Sequence, residues 1–438
     1  MKIHVFILNG QCMFRKMIDA GGTFLLKAIF QIGVFVYFTH VSDITTFGII
    51  SYVFTVYWFV LNFSDYGFRT KLVKDISDNS YSASELLSRS DGVKTYVFFF
   101  IFIIFMFYSY VSDSISLTLL VYISSAYFVC ISSGRFSLLQ AVGRFRCELY
   151  INIYSTIIYI GCNLFLSLFI EPLYYSAISI FIYSISLLVF SSHKCNVPCF
   201  HIKRPSILVY KDFLDATPFA ILVLLNVVLS SIDLFILKEY FSYNSVAIYQ
   251  VVTRVNTGLI IVFNVIYTVL LPSFSYYLKN SEWGNIRKLQ RYISLLVLLL
   301  CLCYYFFGIY FVGILFGDEY KVISSATFLI MFMALIKYNF WLINELYLVC
   351  SGNQSERVKS YCIGVVISMA VFFYFIPRYG WSGAVFGSAI ATLVIGIFYI
   401  ISVKKDCGKI LHDKYSLMMI FVPIFFYFII NGQQRLLY

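Results

Sequence analysis

Residues 292–316 read YISLLVLLLCLCYYFFGIYFVGILF, a run without one charged side chain. The hydrocarbon layer of a bilayer is about 30 Å thick, and a helix needs about 20 mainly apolar residues to cross it. A barrel strand would alternate apolar and polar residues, whereas this run is continuous. The run therefore predicts a transmembrane helix, because a helix satisfies its own backbone polar groups in lipid.

Similar runs recur along the whole chain. Of its 438 residues, 61% are apolar and 12% are charged, and the mean hydropathy is +0.86. Soluble domains contain about a quarter charged residues, so the composition excludes a soluble enzyme with a membrane anchor. We predict an all-α polytopic membrane protein with about twelve transmembrane helices. The predicted spans are Thr23–His40, Phe47–Phe63, Tyr96–Tyr110, Ile115–Ser132, Ile151–Ile170, Leu173–Phe190, Ala216–Leu237, Val246–Pro272, Tyr292–Phe316, Ser324–Cys350, Tyr361–Ile376 and Trp381–Val403. Leu417–Ile430 is a candidate thirteenth span or a membrane-lying tail.

The positive charges orient these spans. Of the 32 Lys and Arg residues, 25 precede the first span or follow an even-numbered one. Cations are retained on the cytoplasmic side, so we expect a multi-pass membrane protein with a cytoplasmic N-terminus. The net charge of +11 then reflects topology and attraction to anionic membrane lipids rather than nucleic-acid binding. Two of the predicted cytoplasmic loops are rich in these cations. The loop after the second span contains Arg69, Lys71, Lys74, Arg89 and Lys94, and the loop after the fourth span contains Arg135, Arg144 and Arg146.

Motifs for enzyme chemistry do not occur in the sequence. It contains no Gly-rich phosphate loop and no GxSxG nucleophile motif, and the predicted outer loops are short. A membrane polymerase or ligase would need a larger outer loop to hold its reacting groups. The cluster His193, Cys195, Cys199 and His201 has tolerable zinc spacing but includes Pro198 and lacks a compact CxxC pair, so we assign no metal and no cofactor.

Polar side chains inside the spans are more informative, because they are costly in lipid and normally face a protein interior or a cavity. In the second span, steps of three and four residues place five polar or amphipathic side chains on one helix face. These are Ser51, Thr55, Trp58, Asn62 and Asp65. Other spans carry Lys27 and Gln31, Asn226 and Asp233, Gln250, Arg254 and Thr257, and Lys337 and Glu345. Small polar residues also join helices to one another, so packing is an equal alternative for the Ser, Thr and Asn positions.

Cations are harder to explain by helix packing alone. Arg254 lies about 12 Å into its span by helical rise, too deep to reach the interface easily. Lys27 and Lys337 have long side chains that can reach an interface, so their signal is weaker. Guanidinium and ammonium groups bind phosphate well. We therefore predict a cavity for an anionic substrate, lined by Lys27, Gln31, Ser51, Thr55, Asn62, Asn226, Gln250, Arg254, Thr257 and Lys337.

Two halves of the chain resemble each other. Short motifs in equivalent topological places recur at offsets of 199, 209 and 205 positions. The pairs are Phe47–Tyr52 with Val246–Gln250, Leu139–Arg144 with Val349–Asn353, and Pro172 with Pro377. Parallel repeats of six spans predict a first lobe over 1–192, a cytoplasmic linker over 193–213, a second lobe over 214–403 and a tail over 404–438. Such folds place the substrate between the lobes and alternate its access.

Several motifs together resemble a known family. They are Phe47–Tyr52, Asp65-Tyr66-Gly67-Phe68, Ile232–Leu237 with Val246–Tyr249, and Tyr379–Ala384. Over residues 14–403 the chain resembles the O-antigen and polysaccharide flippases (Wzx-type) of the multidrug/oligosaccharidyl-lipid/polysaccharide exporter superfamily. The resemblance implies that an undecaprenyl-diphosphate-linked oligosaccharide is moved to the periplasmic leaflet for O-antigen (lipopolysaccharide) or capsule assembly. It also implies cavity cations at Lys27 and Arg254, and a polysaccharide polymerase and a chain-length regulator as partners.

The sequence does not decide whether transport is coupled to an ion gradient, and it leaves other functions possible. Asp65, Asp233 and Glu345 are candidates for proton or ion coupling, and the residues do not choose between them and no coupling. A multidrug exporter of the same superfamily is the main rival, although it should present acidic residues to a cationic drug. A membrane polymerase or ligase and an assembly scaffold without transport are the rivals from other classes.

Overall fold

The computed structural model describes residues 29–77, 83–111, 117–200 and 207–407, together with Gly22 and Leu26. The predicted positions Lys27, His201 and Leu417–Ile430 lie outside these residues. Within them the chain is helical and contains no strand. The predicted all-α class is therefore confirmed.

The helices follow the apolar runs. Nine helices of the described residues are long and apolar enough to cross a membrane, and Ile29–Val41 is a shorter apolar helix. Large apolar side chains such as Phe100, Leu168 and Ile314 are exposed, as expected of helices that face lipid. The helices are α1 (Ile29–Val41), α2 (Ile44–Asp65), α3 (Phe68–Ser77), α4 (Ala83–Val111), α5 (Leu117–Ala141), α6 (Phe145–Leu166), α7 (Pro172–Cys195), α8 (Ile207–Tyr240), α9 (Tyr243–Lys279), α10 (Trp283–Phe316), α11 (Thr327–Ile336), α12 (Ile343–Cys350) and α13 (Gln354–Cys407).

Local chemistry sets several helix boundaries. The Asp43 carboxylate accepts hydrogen bonds from the backbone N–H groups of Thr45 and Thr46, both at 3.1 Å, and so caps α2. Hydrogen bonds from Thr46 hold the pKa of Asp43 below its ordinary value. The range given as α13 consists of two helices, which correspond to the last two predicted spans and are separated by a kink at Gly380, where φ is 60°.

One predicted loop is wrong. The stretch between the second and third predicted spans is expected to be a loop, but most of it forms α3 and the first turns of α4. Arg89 and Lys94 lie on α4 and are buried rather than solvated. Arg135 likewise lies within α5 and is fully buried. Charged residues lower the hydropathy of a helix segment even when carboxylates neutralise them.

Packing divides the chain into two compact units. The first comprises 1–42 and 49–228, and the second comprises 43–48 and 229–438. The division falls inside α8 and not in the 193–213 linker, because the start of α8 packs with the first unit. There the Phe213 ring stacks on Tyr66, with 4.5 Å between ring centres, and Lys71 Nζ lies 3.0 Å from an Asp212 carboxylate oxygen. The predicted lobe boundaries stay a prediction.

A left-handed turn shapes this contact of the first unit. Tyr66 and Gly67 have φ angles of 45° and 72°. A Cβ on Gly67 would lie 2.7 Å from the backbone nitrogen of Ala220, so the turn approaches α8 too closely for a side chain. Glycine therefore meets both the conformational and the steric demand at this position.

The second unit contains a local change of helix type. Between α11 and α12 the segment Lys337–Leu342 is a π-helix, with helical backbone continuing on both sides. The Trp341 indole donates a hydrogen bond of 2.8 Å to the carbonyl of Thr392 on α13. Short π segments inside α-helices occur frequently at functional sites, and both Lys337 and Trp341 lie in this one.

Candidate functional site

A cavity of about 230 Å³ lies inside the first unit, among α1, α2, α5, α6 and α7, and Arg69 at the start of α3 also lines it. Its polar lining residues are Gln31, Asn62, Asp65, Arg69, Ser133 and Asn152. Its aromatic lining residues are Phe30, Phe54, Tyr57, Trp58, Phe136, Tyr159 and Tyr183. Apolar walls with a few convergent polar groups are typical of small-molecule sites.

Two carboxamides reach the cavity from different helices. Asn62 on α2 donates from Nδ2 to the carbonyl of Trp58 at 2.7 Å. Asn152 on α6 donates in the same way to the carbonyl of Glu148 at 2.7 Å. Each amide nitrogen is thus occupied by the backbone of its own helix, which fixes the side-chain orientation.

Stacked aromatic rings form part of the cavity wall. The Phe30 ring stacks on Tyr183 with 5.4 Å between ring centres and meets Tyr159 edge-on at 5.1 Å. Trp58 remains 43% exposed, although it lies well inside α2. The wall therefore offers both fixed rings and one accessible ring face.

Asp65 lies on the cavity wall but is held by an ion pair. One of its oxygens is 2.7 Å from Lys94 Nζ and accepts a hydrogen bond from Ser133, and the other accepts from the backbone N–H of Arg69 at 3.2 Å. Lys94 is fully buried. Because a fully buried cation offsets the Asp65 charge, the cavity is not acidic in character.

A second ion pair lies in the same unit. Arg135 Nη1 donates to both carboxylate oxygens of Asp91, at 2.8 and 2.7 Å, and both side chains are fully buried. Arg135 Nη2 also donates to the carbonyls of Pro198 and Cys199, at 3.1 Å each. This arginine therefore fixes the segment that contains Cys195 and Cys199, and acts there as a structural group.

The predicted residues of α9 lie in the second unit. Arg254 is partly buried and donates to the side-chain oxygen of Gln250 at 3.2 Å. Thr257 follows on the same helix and donates to the carbonyl of Thr253 at 2.7 Å. The predicted row on α9 is thus present as one connected set of polar groups.

The two other candidate coupling acids also lie in the second unit. Asp233 is buried, accepts a hydrogen bond from the Tyr249 hydroxyl, and accepts another from the backbone N–H of Leu234 at 2.8 Å. Tyr249 also contacts the Ser388 hydroxyl at 3.1 Å. Glu345 pairs with Arg357 instead. The structure leaves their coupling role a prediction.

The remaining predicted residues are placed differently. Ser51 and Thr55 are buried on α2, where Thr55 donates to the Ser51 carbonyl at 2.9 Å. Asn226 is exposed on α8. Lys337 Nζ lies 4.8 Å from the centre of the Trp341 ring. The predicted residues that this cavity brings together are Gln31, Trp58, Asn62 and Asp65.

Sequence reasoning missed Asn152, Tyr159 and Tyr183. A single asparagine in an apolar span carries little signal, although Asn152 lies seven residues, or two helical turns, before Tyr159 on α6. This spacing is the sequence signal that could have shown that one face of α6 carries polar groups.

Comparisons with known proteins identify the family. The family model for polysaccharide biosynthesis proteins matches residues 21–278. The chain belongs to this family. No curated protein sequence matches it.

Solved structures show which fold this family member has. A lipid II flippase, MurJ, in an inward closed conformation is similar with a TM-score of 0.68 and 17% identity, over 95% of this chain and 92% of that one. A point mutant of the Vibrio cholerae MATE transporter VcmN is similar with a TM-score of 0.59 and 13% identity, over 92% and 98%. An outward-facing multidrug resistance MATE transporter is similar at 0.56 and 11%, over 90% and 95%. The chain thus has the polytopic exporter fold that these proteins share.

Proposed function

We propose that this protein flips polyprenyl-diphosphate-linked oligosaccharide units across the bacterial inner membrane by alternating access. The observation that carries the proposal is that a chain of the polysaccharide biosynthesis family has the exporter fold of a lipid II flippase. A polysaccharide pathway needs its lipid-linked intermediates to cross the membrane, and a rocking two-unit helical protein can expose a site to each side in turn.

Arg254 is the residue that we expect to attract the diphosphate. It lies on a mainly apolar helix, next to the carboxamide of Gln250. A guanidinium can hold phosphate oxygens through two parallel hydrogen bonds. Lys27 is proposed to assist it, and the lipid tails remain in the bilayer.

The cavity of the first unit argues against a cationic drug as the main substrate. Its one acidic lining residue, Asp65, is paired with the buried Lys94, and Arg69 adds a positive charge. A cation entering there would meet no net negative charge. The likeness to MATE transporters nevertheless makes drug export the second candidate, to be measured alongside.

The proposed function is tested by complementation of a flippase-deficient strain. We expect the parent protein to restore lipid-linked repeat units on the periplasmic side when a matched oligosaccharide is supplied. Arg254→Ala should abolish the export at equal membrane abundance. Arg254→Lys should retain part of it, because lysine keeps the positive charge but cannot form two parallel hydrogen bonds to a phosphate. Arg378→Ala is the matched control, since Arg378 is exposed and donates to the Tyr374 carbonyl.

The outcomes separate the alternatives. If the parent protein does not restore export of a matched substrate, the proposed flippase function is wrong. Efflux of cationic drugs by the same strain would then favour a multidrug exporter. Full export by Arg254→Ala would keep the flippase and remove Arg254 from its mechanism.

A further inference from the structure

We infer that the cavity of the first unit is a subsite for one uncharged sugar ring, the ring next to the lipid diphosphate. This inference rests on the proposed function and names which part of the substrate the first unit recognises. The recognising groups are Trp58, Asn62 and Asn152, and Arg69 marks the phosphate end.

The size of the cavity points to a single ring. Drug-sized ligands occupy pockets of about 300–1,000 Å³. The cavity has about 230 Å³, so it holds one sugar ring rather than a complete oligosaccharide unit. The remaining sugars would extend beyond it.

The chemistry of the walls suits a sugar. A pyranose has apolar C–H faces and a rim of O–H or acetamido N–H donors. The carboxamide nitrogens of Asn62 and Asn152 are bonded to their own helices, and their oxygens accept no hydrogen bond from the residues that the structure describes. These two oxygens are acceptors directed by rigid helices, and the accessible face of Trp58 can cover a C–H face.

The charges favour a neutral ring joined to an anionic group. Lys94 neutralises Asp65 on one side of the cavity, so this carboxylate offers no uncompensated charge that a charged sugar could pair with. Arg69 lines the cavity from the start of α3 and is exposed. Asp65 holds its backbone through the bond to the Arg69 N–H. A phosphate beside the sugar could meet the exposed Arg69 guanidinium.

The predicted membrane orientation agrees with this assignment. The positive charges place the end of α2 on the cytoplasmic side, where a lipid-linked sugar is assembled before export. The cavity residues Asp65 and Arg69 belong to that end. The sugar would thus be recognised before the transporter changes its access.

The inference is tested by lipid binding to the purified full-length protein in nanodiscs. The probes are a bare polyprenyl diphosphate and the same lipid carrying one glucose, one galactose or one N-acetylglucosamine. We expect the parent to bind at least one glycosylated probe more tightly than the bare lipid. Asn152→Ala and Asn62→Ala should each reduce that preference about fivefold to tenfold, while the affinity for the bare lipid stays unchanged.

Asn163→Ala is the matched control. Asn163 lies on the same helix as Asn152, is similarly buried, and makes the same bond to the fourth residue before it, from Nδ2 to the Tyr159 carbonyl at 2.8 Å. It does not line the cavity. It should leave both affinities unchanged. Asn152 is buried, so its replacement could also affect folding. Trp58 is partly exposed, and Trp58→Leu therefore tests the same cavity at a position where folding should be less affected.

The outcomes distinguish this inference from the proposed function. If the parent binds the bare diphosphate lipid as tightly as every glycosylated probe, the subsite is wrong and the flippase stands. The subsite is also wrong if Asn62→Ala and Trp58→Leu keep the full sugar preference. If the parent binds none of the lipids, the proposed function and the subsite fall together.

Discussion

In the first unit, Lys94 and Arg135 each contact a carboxylate on another helix, whereas in the second unit Arg254 donates to the Gln250 carboxamide and Lys337 lies over the Trp341 ring. Removing one partner of a buried pair leaves an uncompensated charge, so the first arrangement makes the cations necessary for stability. Cations that contact an amide or an indole ring can still meet an anion. The comparison therefore identifies Lys94 and Arg135 as structural cations, whereas a binding role for Arg254 stays a proposal.

The largest loss of stability is expected when the fully buried ion pair of Arg135 and Asp91 is broken. Arg135→Met should lower the free energy of unfolding by about 3–5 kcal/mol, because Asp91 would remain charged and buried. Denaturant unfolding of the purified protein in detergent measures it. The double variant Asp91→Leu/Arg135→Met should recover much of the loss, and a single variant as stable as the parent would contradict the structural role.

A smaller loss is expected at the pair beside the cavity. Lys94→Met should cost about 2–3 kcal/mol, because Asp65 is 13% exposed and keeps its bonds from Ser133 and Arg69. Lys74→Met, at an exposed lysine of α3, is the control and should be neutral in the same unfolding experiment. An equal effect of both variants would show that the ion pair contributes little.

In the second unit the corresponding change should be milder. Lys337→Met should cost about 1 kcal/mol, the usual contribution of a cation–π contact, because methionine keeps the apolar packing on Trp341. The melting temperature of this variant, compared with that of Arg135→Met, checks the contrast between the units. A loss as large as that of Arg135→Met would remove the distinction.

The smallest effect concerns the cap of α2. Asp43→Ala should cost about 1 kcal/mol or less, since the carboxylate accepts two backbone hydrogen bonds at an exposed position. The pKa of Asp43 is lowered in the folded state, so its contribution is present at neutral pH and is lost as the pH falls below about 4. Asp43→Asn should keep most of the cap and lose this pH dependence, which unfolding curves at pH values of about 7 and about 3 would reveal.

Hydropathy predicted most of the fold, because each span needs an apolar run that can be counted in the sequence. It placed the start of the third span at Tyr96, whereas α4 begins at Ala83. The intervening turns carry Asp91 and Lys94, whose charges are neutralised by residues distant in sequence. Pairing of this kind is invisible in a local window, so hydropathy alone assigns these charged helix turns to a loop.

The site was predictable only in part. Helical spacing placed Asn62 and Asp65 on one face of α2, and both line the cavity. The same stripe included Ser51 and Thr55, which are buried. Periodicity identifies a face, but the neighbouring helices decide which positions of that face border open space. The π-helix at Lys337 was not predicted, because no residue pattern in the sequence specifies a change of helix type.

The division of α8 between the two units bears on protein engineering. A hybrid transporter made by joining halves of two family members would ordinarily be cut in the 193–213 linker. A cut in this linker before Ile207 would place residues 207–228 beside an unrelated Tyr66–Gly67 turn, and Asp212 beside a foreign Lys71. A junction after Val228 keeps the contacts of Phe213 with Tyr66 and of Asp212 with Lys71 within one parent, although residues 43–48, which belong to the second unit, would still come from the other parent. Hybrids built there should assemble better than hybrids cut before Ile207.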